Sequence, residues 1–184
     1  MRPLEFPYEK DRAHNAALWL LHRHGMQLDL MKMLKLVFLA DLKHLLTFER
    51  PIVGGTYKAM TFGPVAHELY NDMKADFSFV FDPPYTIKAA SPVNEAFLSE
   101  SDINALRSVD DTYGSMDGFA LSAITHKFSL WANHRVNAPI PYEDFFLDIP
   151  SEHRQHLGID MDGEDRALLL EILQDRQETW AMLR

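Results

Sequence analysis

The sequence predicts a mainly helical α+β domain, compact helices with a small antiparallel sheet or hairpin inserted between them. Three observations lead there. Apolar residues recur at helical spacing over Leu30–Phe48, where Leu34, Val37, Phe38, Leu42, Leu45 and Leu46 form a broad face. β-Branched and aromatic residues gather at positions 56–62 and on both sides of Asp82-Pro83-Pro84. Glycine and proline mark the borders between these stretches.

Taken in order, residues 1–9 read as an extended, proline-punctuated lead-in. Residues 11–24 predict a first helix packed through Ala16, Ala17, Trp19, Leu20 and Leu21, with Gly25 as its left-handed end. Asp29 is placed to cap the helix that follows. Pro51 and Gly54-Gly55 end that helix in a tight turn, and 56–62 is a strand. Gly63-Pro64 then opens a helix over 65–74, with proline at its first position and Val65, Leu69 and Met73 on one side. The run 77–88 predicts a hairpin with Phe77, Phe79 and Phe81 on one core-facing side.

Further on, Ser101 or Asp102 starts a helix that runs to Tyr113, and 118–127 forms another. Residues 139–141 are a loop, 142–147 a helical turn and 151–158 a polar connector. An amphipathic helix over 162–183 closes the chain, with Leu169, Ile172, Leu173 and Trp180 on its apolar side. One domain over residues 1–184 is expected, with a core at about 13–131 and a C-terminal extension over 132–184.

Composition narrows the chemistry. Hydrophobic residues make up 47% and charged residues 24%, ordinary for a soluble globule. The absence of cysteine excludes disulfides, thiolate metal sites and a cysteine nucleophile. No window approaches the roughly 18 apolar residues of a membrane span, and the first residues carry no secretory apolar core, so a cytoplasmic protein without membrane contact is expected. The net charge of −9 opposes binding to a phosphate backbone.

No phosphate loop, zincin motif or nucleophile elbow occurs: Asn71 stands where a zincin would need the second histidine after His67-Glu68. His14, His22 and His24 do not share a helical face, so solvated or capping roles fit them better than a metal. His126 and Trp131 either share a pocket or leave the histidine as a helix cap, and the cap is the plainer expectation. Asp41 needs a reason, because it lies on the apolar stripe with Leu34, Val37, Phe38 and Leu45. It is either a catalytic or binding carboxylate, or an anchor that accepts backbone N–H groups from the nearby turn. The anchor role is the one expected.

Several of these residues also carry a resemblance. Lys35-Leu36-Val37-Phe38-Leu39-Ala40-Asp41, then Pro51-Ile52-Val53-Gly54-Gly55-Thr56-Tyr57, then Phe62-Gly63-Pro64-Val65 and Leu69-Tyr70, resemble the core of the Panacea (SocA-like antitoxin) domain. Leu121-Ser122, Thr125-His126 and Trp131 are similar to its second signature. The resemblance covers about residues 13–131. The chain departs from the pattern at Gly55, where many relatives carry a polar residue, and in its longer part after Trp131.

The resemblance marks Asp41, Gly54, Gly55, Tyr57, Gly63, Pro64, His126 and Trp131 as motif residues with structural roles. It implies a non-catalytic protein, free of cofactor and metal, that binds and neutralises a cognate protein toxin of a bacterial or phage system, or delivers that toxin to a protease as an adaptor. Partner contact is then expected at Tyr57, Phe62, Tyr70 or Trp180, although ordinary packing is the better account of Tyr57 and Tyr70. The alternatives are a nucleic-acid-binding regulator, against which Glu68 and Asp72 in the 65–74 helix speak, and behind it a hydrolase using His44, His67 or His126 with Asp41.

Overall fold

The computed structural model describes residues 3–183, so the first two residues of the expected lead-in lie outside it. After the lead-in come α1 (Lys10–Arg23), β1 (Gln27–Asp29), α2 (Leu30–Phe48), β2 (Tyr57–Met60), β3 (Gly63–Ala66), α3 (His67–Ala75), β4 (Phe79–Asp82) and β5 (Thr86–Ala89). The second half supplies α4 (Glu100–Tyr113), α5 (Gly118–Thr125), α6 (Ser129–Ala132), β6 (Pro139–Ile140), a 3-10 turn (Tyr142–Phe146), α7 (Ser151–His156) and α8 (Gly163–Met182). The fold is α+β, with helices dominant.

Helix α2 is the axis of the core. The Asp29 carboxylate accepts the Lys32 N–H at 2.9 Å and so closes the first turn. Glu49 leaves the helix in the left-handed conformation at φ 63°. Met33, Leu36, Val37, Phe38, Leu39, Leu42 and Leu45 are all buried, because α4, α5 and β3 surround the helix. A helix apolar nearly all round has to sit inside a core. Its neighbours are capped in the same manner: Ser99 and Asp102 form a capping box at α4, Asp117 caps α5, and Asp162 with Asp165 forms a second box at α8.

The strands form two antiparallel sheets, ordered β1-β5-β4 and β3-β2-β6, where one small sheet was expected. Strand β1 pairs Leu28 with Ile87, and β6 pairs Ile140 with Tyr57. Both strands are only two or three residues long, too short for an alternating pattern. Residues 139–140 are therefore paired strand rather than loop, and the supposed connector at 151–158 contains α7.

The largest correction concerns Gly63-Pro64. This pair does not open a helix: residues 63–66 pair with β2, Met60 against Gly63 and Ala59 against Pro64, and the helix starts only at His67. Proline is tolerated there because β3 lies at the edge of its sheet. Two aromatic expectations change as well. Of Phe77, Phe79 and Phe81, only Phe79 is fully buried, since β4 begins at that residue and Phe77 projects into solvent. In α8 the buried side runs through Arg166, Leu169, Leu173 and Gln174, which leaves Ile172 and Trp180 outside it. The buried Arg166 side chain is held by the carbonyls of Phe146 and Met161.

Candidate functional site

Three internal hydrogen-bond centres account for most of the motif residues. At the first, Asp41 Oδ1 accepts the N–H groups of Ile52 and Val53, each at 2.9 Å, and Oδ2 accepts the Tyr57 hydroxyl at 2.9 Å. The carboxylate thus fastens the 50–55 turn and the start of β2 onto α2. Burial pushes its pKa up to about 6, and the three donors oppose that rise. Gly54 lets the lead-in cross close to this turn: it sits at φ +70°, and a Cβ there would lie 2.2 Å from the Pro7 carbonyl oxygen. Gly55 N–H donates to the Phe6 carbonyl at 2.9 Å, completing the seam.

The second centre holds the β2–β3 hairpin. Buried Lys35 donates from Nζ to the Pro64 carbonyl at 2.9 Å, and desolvation lowers its pKa to about 7. Gly63 stands at φ +109°, where a Cβ would meet Thr125 Oγ1 at 2.5 Å and Lys35 Cε at 2.9 Å. The Ser122 hydroxyl donates to the Phe62 carbonyl, and Trp131 Nε1 donates to the Met60 carbonyl, both at 2.9 Å. His126 follows α5 and stacks on Trp131, rings 3.8 Å apart and 10° from parallel. It is more than a helix cap: the two side chains form one clamp on the hairpin. Burial, and then the Lys35 charge, lower the His126 pKa.

The third centre joins α2 to α4. His44 Nδ1 donates to the Arg50 carbonyl at 2.6 Å, while Nε2 faces Ser101 Oγ at 3.0 Å and Asp102 Oδ1 at 3.2 Å. A serine-hydrolase triad places serine and carboxylate on opposite ring nitrogens. Here both approach the same nitrogen, and Arg50 also pairs with Asp102 at 2.9 Å. The side-chain hydrogen bonds of Asp41 go to Ile52, Val53 and Tyr57 and not to His44, His67 or His126. His14 Nε2 meets Asp72 Oδ2 at 2.7 Å, and the Tyr8 hydroxyl donates to the same oxygen. Among the described residues no group of three or more His, Cys, Asp or Glu is arranged to hold a metal ion.

The candidate partner residues separate sharply. Tyr57 is 1% exposed and packed against Phe38 and Phe145, so it is a core residue and is withdrawn as a contact. Tyr70 is half-buried, with Lys74 Nζ 3.7 Å from its ring centre. Phe62 is 49% exposed and meets Phe119, 70% exposed, edge to face at 6.1 Å. Trp180 is 64% exposed and stands on a groove of about 1270 Å³ between the lead-in, the Tyr142 turn and α8.

Sequence reasoning missed Lys35, Phe119 and the groove's carboxylates. Lys35 carried a usable signal: like Asp41 it is a charge inside an apolar run, between Leu34 and Leu36. Phe119 and the groove had none, because they arise from segments brought together only by folding.

The motif's polar groups are thus engaged in holding the fold, and Phe62, Phe119 and Trp180 stand exposed. A family model for the antitoxin SocA-like Panacea domain matches residues 33–132, more than half of the chain. The chain belongs to that family. No curated protein and no solved structure matches it. Among the described residues no helix is long and apolar enough to cross a membrane.

Proposed function

We propose that this protein neutralises a cognate protein toxin of a bacterial or phage toxin–antitoxin system by binding it directly, without turnover, in the cytoplasm. Membership of an antitoxin family gives the general role. The observation that carries the direct-binding reading is the contrast between the motif's internally bonded residues and the exposed aromatic residues. Asp41, Tyr57, Lys35 and Trp131 bond to groups within the chain, whereas Phe62, Phe119 and Trp180 present aromatic surface to solvent. Exposed aromatic side chains are what protein interfaces use as anchors. The net charge of −9 steers a basic partner toward the surface and raises the association rate. Acting as an adaptor that hands the toxin to a protease is an elaboration of the same binding event.

The test is co-expression with the product of the neighbouring gene. Rescue of growth together with co-purification as a defined complex is the expected result. Point variants suit this better than removal of residues 162–184, because Leu169 and Leu173 are part of the core. Rescue without any physical complex rules out direct binding.

A further inference from the structure

The groove beside Trp180 has a composition that specifies its occupant. Glu5, Glu68, Glu143 and Glu178 all line it, and no lysine, arginine or histidine does so among the described residues. Phe6, Tyr8, Tyr142 and Trp180 supply aromatic surface between the carboxylates. At about 1270 Å³ it exceeds the usual 300–1,000 Å³ of a small-molecule pocket. The α8 wall from Gln174 to Ala181 runs about 10 Å, enough for about three residues of extended chain.

The backbone around the groove is already engaged. Leu4 N–H donates to Glu143 at 2.6 Å, Glu5 N–H and C=O bond reciprocally with Gln177 at 3.1 and 2.7 Å, and Thr56 N–H donates to Glu68 at 2.9 Å. An incoming strand therefore finds few main-chain partners here, and recognition falls to charge and aromatic faces. Cations are attracted both to carboxylates and to the face of an indole or phenol ring. Behind the wall, Tyr142, a lining residue that is 5% exposed, has a buried hydroxyl with no hydrogen-bond partner among the described residues. Burial, and then the charges of Asp41 and Glu68, raise the pKa of that hydroxyl and keep it protonated.

We propose that this groove is the docking site for an extended, arginine- or lysine-bearing segment of the partner protein. The assignment deepens the toxin-binding reading and rests on it. Nucleic acid is disfavoured by the same carboxylates. A second copy of the chain, carrying the same net charge of −9, would meet like charge.

The assay uses the full-length protein and a fluorescein-labelled peptide of about ten residues alternating arginine and leucine, with a glutamate–leucine peptide as control, read by anisotropy. Saturable binding of the arginine peptide alone is expected, weakening steeply with salt. The double variant Glu5→Lys/Glu178→Lys should lose about tenfold or more in affinity, and Trp180→Ala about fivefold, while Phe77→Ser, a change at an exposed residue outside the groove, leaves it unchanged. Thermal melts of each variant establish that the fold survives. Equal binding by the charge-reversed variant, equal binding of the two peptides, no saturation, or a dimer that the arginine peptide does not disperse would each overturn the assignment.

The neighbouring gene's product is measured alongside. If it binds wild type and the charge-reversed variant alike, the groove assignment falls while the antitoxin reading stands. If it binds neither, the antitoxin reading falls, and the peptide measurement still decides what the groove accepts.

Discussion

Asp41 is a buried carboxylate whose hydrogen bonds all go to the turn and to β2. Its carboxylate satisfies two turn amides and a tyrosine hydroxyl, so Asp41→Ala leaves three buried donors unpaired and should cost about 3 kcal/mol or more in a urea titration. Asp41→Asn keeps an acceptor and separates charge from geometry. With a folded pKa of about 6, the native carboxyl keeps its proton between about pH 4 and 6 while the unfolded one has lost it. Wild-type stability should therefore fall relative to the asparagine variant as pH rises through that window, by about 2–3 kcal/mol.

Lys35 works in the opposite window. Its folded pKa is about 7, so between there and the ordinary lysine value near 10.5 the unfolded chain holds more protons. Stability of the wild type should rise with pH over that interval relative to Lys35→Met, as denaturant midpoints at matched pH would show. Both residues were detectable as charges within an apolar run, but only the folded chain reveals their partners. Pro64 supplies a carbonyl to Lys35 because it lies on an edge strand, and a sequence that spells a helix start gives no hint of this.

At the scale of elements, the seam between the lead-in and the Gly54 turn and the attachment of α8 decide whether the groove exists. Gly54→Ala forces a left-handed conformation and a methyl group against the Pro7 carbonyl. A cost of about 1–3 kcal/mol is expected, with faster proteolysis within residues 3–9 as the readout. In α8, Leu173→Ala should cost about 2–4 kcal/mol, whereas the exposed Ile172→Ala should cost under about 1 kcal/mol. That contrast checks which side of the helix faces the core. Its sequence placed Ile172 and Leu173 together on an apolar side, since periodicity alone cannot foresee that Arg166 is buried through two carbonyl acceptors. Long elements with strong caps, α2 above all, were legible from end to end. The two-residue β6 and the three-residue β1 were not, because pairing rather than local pattern makes them strands.

For the molecule as a whole, the fold holds its motif inside and leaves other residues on the surface. Asp41, Lys35, His126 and Trp131 clamp the turn and hairpin to α2, while the exposed Phe62–Phe119 pair and the acidic groove at Trp180 draw on segments far apart in the chain. The family signature was thus legible in the sequence and the groove was not, since its walls come from residues 3–8, 55–56, 68, 140–143 and 174–181. If function resides in binding and not in a reactive side chain, as proposed, changes at the surface and not at the histidines decide it. The direct test is growth rescue in cells that express the neighbouring toxin, comparing His44→Gln and His126→Gln with Glu5→Lys/Glu178→Lys, each verified as folded. Rescue retained by the histidine variants and lost with the charge reversal is the predicted outcome. Rescue abolished by one histidine change, in a protein that still folds and still holds the toxin, would contradict it.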